Sequence, residues 1–395
     1  MNILMISDVY FPRINGVSTS IIIFRQELVR LGHRVSLIAP HYGECPANED
    51  NIFRIAARQV PIDPEDRMMR ADLVMQGLPE LQRQHFDILH IQTPFVAHRL
   101  GIKLSRCLNI PRIATYHTFF EEYLFHYVPL LPKAPLRAIA RCFSRRQCNN
   151  LDGVVVPSQA MWDTLLRYGI KIPMRIIPTG TPPDLLQEGD GTRFRRQHGI
   201  PLERPTLVHV GRVAFEKNID FLLHVVRRLK RHFPNILLII AGEGPAQRHL
   251  VELGAQLALT KNLLFVGYLP RGAALADCYR AGDAFVFASR TETQGLVLLE
   301  AMSLGVPVVS TAVMGTRDIL QTKCGALVAE ETVEDFAAKV HQVLQDRQLH
   351  QRLAAEGPTY ARQWRPTCLA QKLADFYQEI IIQRNGTSLP KWMSP

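Results

Sequence analysis

The sequence predicts two α/β domains in tandem, each built on a doubly wound parallel sheet. In both halves of the chain, short and continuously apolar segments alternate with segments of helical spacing, a pattern typical of parallel sheets covered by helices on both faces. The chain has 395 residues, enough for two cores. A polar stretch over 188–197 separates the two halves. We therefore expect domains over 1–182 and 183–366, with a helix over 367–388 that packs back on the first domain.

The first half contains six predicted strands and one clear helix. Apolar residues at 21, 24, 28 and 31 have the spacing of one helix face, which predicts a helix over 19–31. Six short apolar runs bounded by turn residues predict buried strands. These runs cover 2–6, 34–39, 87–91, 112–116, 153–156 and 175–177.

The second half repeats the alternation and ends in an amphipathic helix. In doubly wound domains, ligands bind beyond the carboxyl ends of the strands, so residues just after each strand are candidates for chemistry. The C-terminal helix has Leu369, Leu373, Phe376 and Ile380 on one face. The predicted strands are 206–210, 236–241, 263–266, 284–288 and 306–310, and helices separate them at about 219–231, 246–258, 273–281 and 295–304.

Composition narrows the class of protein. The 46 Lys and Arg residues outnumber the 36 Asp and Glu residues, which gives a net charge of +10. The seven cysteines form no C-x-x-C pair and no zinc-like spacing, so we expect a reducing compartment and no metal site. The first eight residues lack a basic start and include Asp8, unlike a signal peptide. No apolar run approaches the roughly 18 residues of a spanning helix.

The first segment with candidate chemistry follows the strand over 206–210. Gly211 allows the backbone to approach a ligand, and Arg212 and Lys217 have the charge to clamp a diphosphate. The alternative interpretation is a strand-to-helix turn with solvated charges.

The second candidate segment follows the strand over 284–288. It turns at Gly295 and enters a helix, whose N-terminal N–H groups and dipole favour a phosphate. Glu292 precedes this helix and Glu300 lies within it. Because two carboxylates would repel phosphate, we expect them to bind hydroxyl groups, as on a sugar and a ribose. The alternative is a helix cap and one surface glutamate.

These motifs together resemble the retaining nucleotide-sugar enzymes of glycosyltransferase family 4, which have the GT-B fold. The most specific piece is Glu292…Gly295-Leu296…Glu300, which is similar to the E-x7-E motif of that family. The resemblance covers nearly the whole chain and implies two Rossmann-like domains that face each other across a cleft. The other pieces are Tyr10–Val17, Tyr116-His117-Thr118, Ile177–Gly180, Gly211–Lys217, Ala241–Pro245 and Val266–Tyr268.

The resemblance implies a role for each matching residue. Arg212 and Lys217 correspond to the pair that holds the donor diphosphate, Glu292 to the carboxylate near the donor sugar, and Glu300 to the ribose ligand. His117 corresponds to the histidine near the reacting anomeric centre. The implied catalytic residues are His117, Glu292, Arg212 and Lys217, and the implied donor-binding residues are Gly16, Gly211, Arg212, Lys217, Gly242, Tyr268, Gln294, Gly295, Leu296 and Glu300.

Two further implications concern the diphosphate. The family often has two glycines in the N-terminal loop that passes close to the diphosphate, whereas this chain has Asn15-Gly16. The resemblance also implies that Arg, Lys and a helix dipole neutralise the leaving diphosphate. We therefore expect no metal and no cofactor, with the nucleotide sugar as a substrate.

Three motifs narrow the resemblance to the lipid glucosyltransferases that act on diacylglycerol: Thr291–Val297, Ile177–Gly180 and Met314–Asp318. They imply transfer of a hexose, glucose from UDP-glucose, to a membrane lipid through an α-glycosidic bond. The alternative is a mannosyl- or other hexosyltransferase with a soluble, phospholipid or polysaccharide acceptor.

Two other classes of protein fit the sequence less well. A nucleic-acid-binding protein fits the net positive charge, but no known nucleic-acid module is present. A dinucleotide oxidoreductase is disfavoured because no G-x-G-x-x-G follows a strand.

A basic helix is predicted near residue 140. No acidic residue occurs between Glu122 and Asp152. Basic residues recur there every four positions, which places them on one helix face. An aromatic lead-in and a basic amphipathic helix are typical of a membrane-surface element, and the alternative is a surface helix packed on its own domain. The basic stripe is Lys133, Arg137, Arg141 and Arg145, the apolar face beside it is Leu136, Ile139, Ala140 and Phe143, and the lead-in includes Phe119, Phe120, Tyr123, Leu124 and Phe125.

The expected partners follow from these motifs. They are a nucleotide sugar, a lipid acceptor and an anionic membrane surface, and not a nucleic acid. We predict a cytoplasmic protein that associates peripherally with the inner face of the plasma membrane.

Overall fold

The computed structural model describes residues 1–13, 15–43, 50–59, 67–117, 133–181 and 189–386. The chain divides into two compact units. The N-terminal unit comprises Met1–Gly180 and Pro366–Pro395, and the C-terminal unit comprises Thr181–Arg365. Each unit contains one parallel sheet with helices, so the predicted class of two doubly wound α/β domains is confirmed.

The main sheet of the N-terminal unit has seven parallel strands in the order β3-β2-β1-β6-β7-β8-β9. Strands β4 and β5 form a separate antiparallel pair. Strand β3 is not among the predicted strands, because its residues are only half-buried and lack a continuous apolar run. The strands are β1 (Asn2–Ile6), β2 (Arg34–Pro40), β3 (Ile52–Ile55), β4 (Ala57–Gln59), β5 (Arg67–Met69), β6 (Ile88–Ile91), β7 (Arg112–Thr115), β8 (Gly153–Val156) and β9 (Met174–Ile176).

Helices of the N-terminal unit connect these strands. The first begins at Gly16, three residues before the predicted start, because Asn15 caps it: the Asn15 side chain accepts from the Ser18 N–H, and the Asn15 N–H donates to Ser18 Oγ. The helices up to β9 are α1 (Gly16–Arg30), α2 (Ala71–Gln76), α3 (Leu78–Arg83), α4 (Val96–Leu108), α5 (Lys133–Cys148) and α6 (Gln159–Arg167).

The sheet of the C-terminal unit has six parallel strands in the order β12-β11-β10-β13-β14-β15. Apolar clusters cover both of its faces. The strands are β10 (Thr206–Val210), β11 (Leu237–Ala241), β12 (Leu263–Gly267), β13 (Ala284–Phe287), β14 (Val308–Thr311) and β15 (Ala326–Ala329).

One segment of the C-terminal unit differs from its prediction. The sequence predicts a polar connection over 188–197, but Gly191–Gln197 is a helix. Asp190 caps its start and Phe194 buries its apolar side. The helices are α7 (Gly191–Gln197), α8 (Ile219–Leu229), α9 (Gln247–Gln256), α10 (Ala273–Arg280), α11 (Leu296–Ser303), α12 (Thr316–Leu320), α13 (Val333–Gln345) and α14 (Arg347–Ala361).

The last helix, α15 (Pro366–Arg384), belongs to the N-terminal unit. Its predicted apolar residues are buried in one cluster with residues of α1 and β1. A Cβ atom placed on Gly153 in β8 would lie 2.9 Å from the Phe376 ring, so a glycine is needed where α15 crosses that strand. No helix in the described ranges has the length and apolar character needed to cross a bilayer.

Candidate active site

Glycines bring the loops after β10 and β11 into backbone contact. A Cβ atom placed on Gly242 would lie 1.9 Å from the Gly211 carbonyl oxygen, and one on Gly244 would lie 2.4 Å from the Val213 carbonyl oxygen. Gly242 also has a φ of +134°, a conformation that L side chains rarely adopt. Only glycine fits these positions, so the loop that carries Arg212 and Lys217 has a fixed place at the carboxyl end of the sheet.

An ion pair joins two of the predicted catalytic residues. Lys217 Nζ donates to Glu292 Oε1 at 2.5 Å, and the two side chains are 20% and 18% exposed. They follow β10 and β13, which are neighbours in the sheet. The Gly315 N–H donates to the Glu292 carbonyl at 2.9 Å and fixes the second loop. The pair therefore offers a cation and a hydrogen-bond acceptor side by side.

Helix α11 starts directly after this pair. Gly295 caps it with a φ of +93°, and a Cβ atom placed there would lie 2.9 Å from Thr316 Cγ2. The first N–H groups of a helix have no partners within the helix, and its dipole is positive at that end. Gln294 is buried, and Leu296 is the first helical residue. The start of α11 is therefore suited to an anionic group beside Glu292.

Glu300 lies one turn into α11 and is almost fully buried. Its Oε1 accepts from Arg271 Nη2 at 2.6 Å, and its Oε2 accepts from the Tyr279 hydroxyl at 2.8 Å. Burial, and then Glu300 itself, raise the pKa of Tyr279 well above its usual value, so this hydroxyl stays protonated and donates. Neither Arg271 nor Tyr279 belongs to a recognisable motif, so the sequence alone did not indicate them.

His209, like Arg271 and Tyr279, belongs to no motif that is visible in the sequence. It lies fully buried in β10, two residues before Gly211, and burial lowers its pKa to about 4. Its Nδ1 lies 3.2 Å from the Val286 carbonyl oxygen, which indicates that Nδ1 carries the hydrogen. Its Nε2 has no partner among the described residues, and a Cβ atom on Gly211 would lie 3.7 Å from it.

The remaining predicted donor residues of the C-terminal unit are at the surface. Arg212 is exposed, and Tyr268 after β12 is 45% exposed. The Tyr268 N–H donates to Glu243 Oε1 at 3.3 Å. Partial burial raises the pKa of the Tyr268 hydroxyl. All the predicted donor residues of this unit thus follow the carboxyl ends of β10 to β13.

His117 follows β7 in the N-terminal unit and is half-buried. Its Nε2 lies 3.1 Å from Gln92 Oε1, and burial lowers its pKa to about 4. Behind it, His90 bridges Tyr377 and Thr115, with nitrogen to oxygen distances of 2.6 and 2.7 Å. His117 is therefore a neutral imidazole at physiological pH. The neighbouring strand β6 carries a second buried imidazole, His90, which is hydrogen-bonded to Tyr377 of α15.

A cavity of about 30 Å³ adjoins His117. It has room for one or two water molecules. His98 lines it, and His98 Nε2 is buried without a partner among the described residues. Burial lowers the pKa of His98 to about 4, so this ring is also neutral.

Gly16 is the first residue of α1. A Cβ atom placed there would meet nothing within 4 Å, so packing does not require a glycine at this position. Its predicted role beside a diphosphate stays a prediction. The residue after His117, Thr118, and the aromatic lead-in with Phe119 and Phe120 lie outside the described residues.

Comparison with known proteins places the chain in a family. A family model described as Glycosyltransferase Family 4 matches residues 14–185, and one described as Glycosyl transferases group 1 matches residues 190–360. Alpha-monoglucosyldiacylglycerol synthase of Streptococcus pneumoniae is 32% identical over 357 residues, which are 87% of this chain and 78% of that protein. The chain belongs to glycosyltransferase family 4.

Two further similarities extend this result. A GDP-mannose-dependent alpha-mannosyltransferase of Mycolicibacterium smegmatis is 26% identical to this glycosyltransferase over 98% of this chain and 99% of that protein. The structure of HepE from Anabaena in complex with UDP and glucose matches with a TM-score of 0.75 at 17% identity, over 96% of this chain and 100% of that chain. The GT-B fold and the glycosyltransferase activity that the motifs predict are confirmed.

The surface of α5 in the glycosyltransferase differs from its prediction. Arg137, Arg141 and Arg145 are exposed, as the stripe predicts. The predicted apolar face is only partly buried. Leu136 and Ala140 are buried, whereas Ile139 and Phe143 are 55% and 40% exposed. Leu136 and Ala140 pack on the domain together with Ser144 and Cys148, which continue the same buried stripe at every fourth position. Ile139 and Phe143 lie at the edge of this stripe and face outward. The side chain of Lys133, the fourth residue of the predicted stripe, lies outside the described part of the structure.

Helix α4 of the glycosyltransferase carries a second basic stripe. Arg99, Lys103 and Arg106 are exposed at helical spacing, and α4 contains no acidic residue. The connections β6-α4-β7 and β7-α5-β8 cross the sheet in the same direction, so right-handed crossovers place both helices on one face. Gln147 Nε2 of α5 donates to the Pro94 carbonyl just before α4 at 2.6 Å. The spacing of residues 99, 103 and 106 was the available signal in the sequence.

Potential metal ligands are dispersed in the described part of the glycosyltransferase. There, no three His, Cys, Asp or Glu side chains form a group able to hold a metal ion.

Proposed function

We propose that this glycosyltransferase transfers glucose from UDP-glucose to a membrane lipid such as diacylglycerol, with an α-glycosidic product. The observation that carries the proposal is the Lys217–Glu292 pair beside the start of α11. A nucleotide sugar carries a diphosphate next to a ring of hydroxyl groups. A cation, a helix N-terminus and a carboxylate within one loop cluster are complementary to that pattern.

Each part of the donor has a partner in this arrangement. Lys217, Arg212 and the N–H groups of α11 face the diphosphate, Glu292 accepts from hydroxyls of the glucose, and Glu300 accepts from the ribose. UDP in the HepE structure, which has the same fold, supports a nucleotide donor of this class.

The acceptor side rests on two observations. The relative that is 32% identical is named as a synthase of monoglucosyldiacylglycerol. The exposed arginines of α5 and the basic stripe of α4 lie on one face of the N-terminal unit, with Ile139 and Phe143 among them. Each basic residue near an anionic surface contributes about 1 kcal/mol. Six of them support reversible docking to a membrane from the cytoplasmic side.

The chemistry is a substitution at the anomeric carbon with retention. The bond from that carbon to the β-phosphate oxygen breaks as the bond to the acceptor oxygen forms on the same face, and the acceptor proton moves to the leaving phosphate. Lys217 and Arg212 stabilise the negative charge that grows on the diphosphate. His117 is neutral at physiological pH, so we assign it a hydrogen-bonding role rather than a charged one.

The test is transfer to vesicles that contain diacylglycerol and an anionic phospholipid, with UDP-glucose or GDP-mannose as the donor. We expect glucosyl transfer from UDP-glucose, and an α-anomeric proton in the NMR spectrum of the product. A β product contradicts the retaining mechanism, and the absence of transfer from UDP-glucose contradicts the donor assignment.

A second candidate is a GDP-mannose-dependent mannosyltransferase. It is favoured by the relative from Mycolicibacterium smegmatis, whose match spans nearly the full length of both chains. The same assay separates the candidates, because mannosyl transfer from GDP-mannose with no transfer from UDP-glucose selects the second. Thermal unfolding with each nucleotide gives an independent answer, since a ligand that binds the folded state raises the unfolding midpoint.

A further inference from the structure

The two carboxylate oxygens of Glu300 have different kinds of partner. Oε2 accepts from the hydroxyl of Tyr279, which is fully buried in α10. Oε1 accepts from Arg271, whose side chain is 23% exposed. Tyr279 has no access to solvent and is held in place by its surroundings, whereas the partly exposed Arg271 is able to share its contact with Oε1.

We propose that Tyr279 is a positioning residue that presents Oε1 of Glu300 to a ribose hydroxyl of the donor. This inference rests on the proposed function, in which Glu300 binds the ribose. A carboxylate oxygen has two acceptor sites, so Oε1 can accept from Arg271 and from a hydroxyl at the same time. Tyr279 fixes the rotation of the carboxylate that makes this possible.

The competing geometry shows why rotation matters. A guanidinium forms its strongest contact with a carboxylate as a fork, with two parallel N–H···O bonds that occupy both oxygens. In the structure, the Tyr279 hydroxyl holds Oε2 and leaves Arg271 only Oε1. Without that hydroxyl, we expect Arg271 to engage both oxygens, so that a ribose must compete with a bidentate ion pair.

A Tyr279→Phe variant separates this role from packing. The ring of Tyr279 packs against Phe285 with 5.4 Å between ring centroids, and phenylalanine keeps that ring. The variant therefore removes only the hydroxyl. Tyr360→Phe is a matched control, because Tyr360 lies buried in the same apolar cluster of the C-terminal unit and its hydroxyl is not among the described hydrogen-bond partners of the Glu300 carboxylate.

The experiment is titration calorimetry with UDP and with 2′,3′-dideoxy-UDP. We expect the unsubstituted protein to bind UDP at least 10-fold more tightly than the dideoxy nucleotide, since the ribose hydroxyls donate to a charged group. In Tyr279→Phe this ratio should fall below 3-fold, while the affinity for dideoxy-UDP stays within 2-fold. Glu300→Gln should lower the ratio in the same way, and Tyr360→Phe should leave it unchanged.

Three results overturn the inference. One is an unchanged ratio in Tyr279→Phe. Another is an equal loss of affinity for both nucleotides, which indicates a structural role only. The third is the absence of ribose discrimination in the unsubstituted protein, which also removes the role of Glu300 from the proposed function. If discrimination depends on Tyr279 but no glucose is transferred, the inference holds and the proposed function fails.

Discussion

At the scale of single residues, the proposed role of the Lys217 charge can be tested through turnover. We expect Lys217→Met to lower turnover at saturating donor by about 100-fold or more, because the diphosphate loses a preorganised cation as its charge grows. The measurement is the initial rate of glucosyl transfer.

Lys261→Met is the control for this variant, because Lys261 is an exposed lysine just before β12, at the opposite end of that strand from the site. Turnover of Lys217→Met that equals the control would refute the role of Lys217. Urea unfolding of both variants checks that the folded state persists, because Lys217→Met leaves the largely buried Glu292 without its partner.

The residues that sequence analysis identified and those it missed differ in a physical way. Glu292, Gly295 and Glu300 lie in one segment, so their spacing is visible in the sequence. Tyr279 and Arg271 meet Glu300 across 21 and 29 positions, and only the packing of α10 beside α11 brings them there. His209 reads as part of an apolar strand, and its burial shows only in the folded sheet.

At the scale of elements, helix α5 presents the most testable surface. We expect glutamate at Arg137, Arg141 and Arg145 to abolish binding to anionic vesicles, because three attractive charges become repulsive. Affinity for UDP should not change. Sedimentation with vesicles measures the membrane binding, and calorimetry measures the affinity for UDP. A salt concentration of 1 M should have the same effect as the triple variant, because it shortens the Debye screening length to about 3 Å.

The control is glutamate at Arg227 and Arg228, which are exposed on α8 of the other unit. That variant should still sediment with vesicles. If the α5 variant also sediments, the helix does no more than pack on its own domain through Leu136 and Ala140.

Helix α4 allows a second, independent test of the same face. We expect glutamate at Arg99, Lys103 and Arg106 to weaken vesicle binding at least 10-fold, since three charges at about 1 kcal/mol each contribute to docking. Transfer to diacylglycerol in vesicles should fall, while transfer to a short-chain soluble acceptor should not. Equal losses with both acceptors would indicate damage to the site instead of the membrane contact.

Individual elements also show what the sequence could not reveal. The strands of both sheet centres are continuous apolar runs, and their predicted positions agree with the structure to within about two residues at either end. Edge elements such as β3 and β15 have half-buried residues and carry a weaker signal. The start of α1 depends on the Asn15–Ser18 cap, a hydrogen-bond pattern rather than an apolar periodicity.

At the scale of the whole molecule, the alternation of strands and helices was sufficient for the fold class. Strand order was not accessible, because it depends on which strands pair across long connections. In the N-terminal unit, residues 366–384 return from the far end of the chain, and Tyr377 reaches His90 across 287 positions. Such a contact has no local signature, although the apolar face of α15 indicated that the helix must pack on something.

The stability of the molecule should depend on pH through its buried histidines. Burial lowers the pKa of His90 to about 3 and that of His98, His117 and His209 to about 4, from 6.5 in the unfolded chain. Between these values the unfolded chain binds protons that the folded protein does not, so the free energy of unfolding falls as pH decreases. This stabilisation is complete above pH 6.5 and is lost as pH falls toward 4.

Between pH 7.5 and 5.5 we expect the free energy of unfolding to fall by about 1 kcal/mol for each histidine, which urea unfolding at the two pH values measures. His98→Gln should reduce this loss, because His98 Nε2 has no partner to replace in the described structure, whereas substitution of the exposed His85 by Gln should not. Equal stability at the two pH values would show that these rings become protonated in the folded protein as easily as in the unfolded chain.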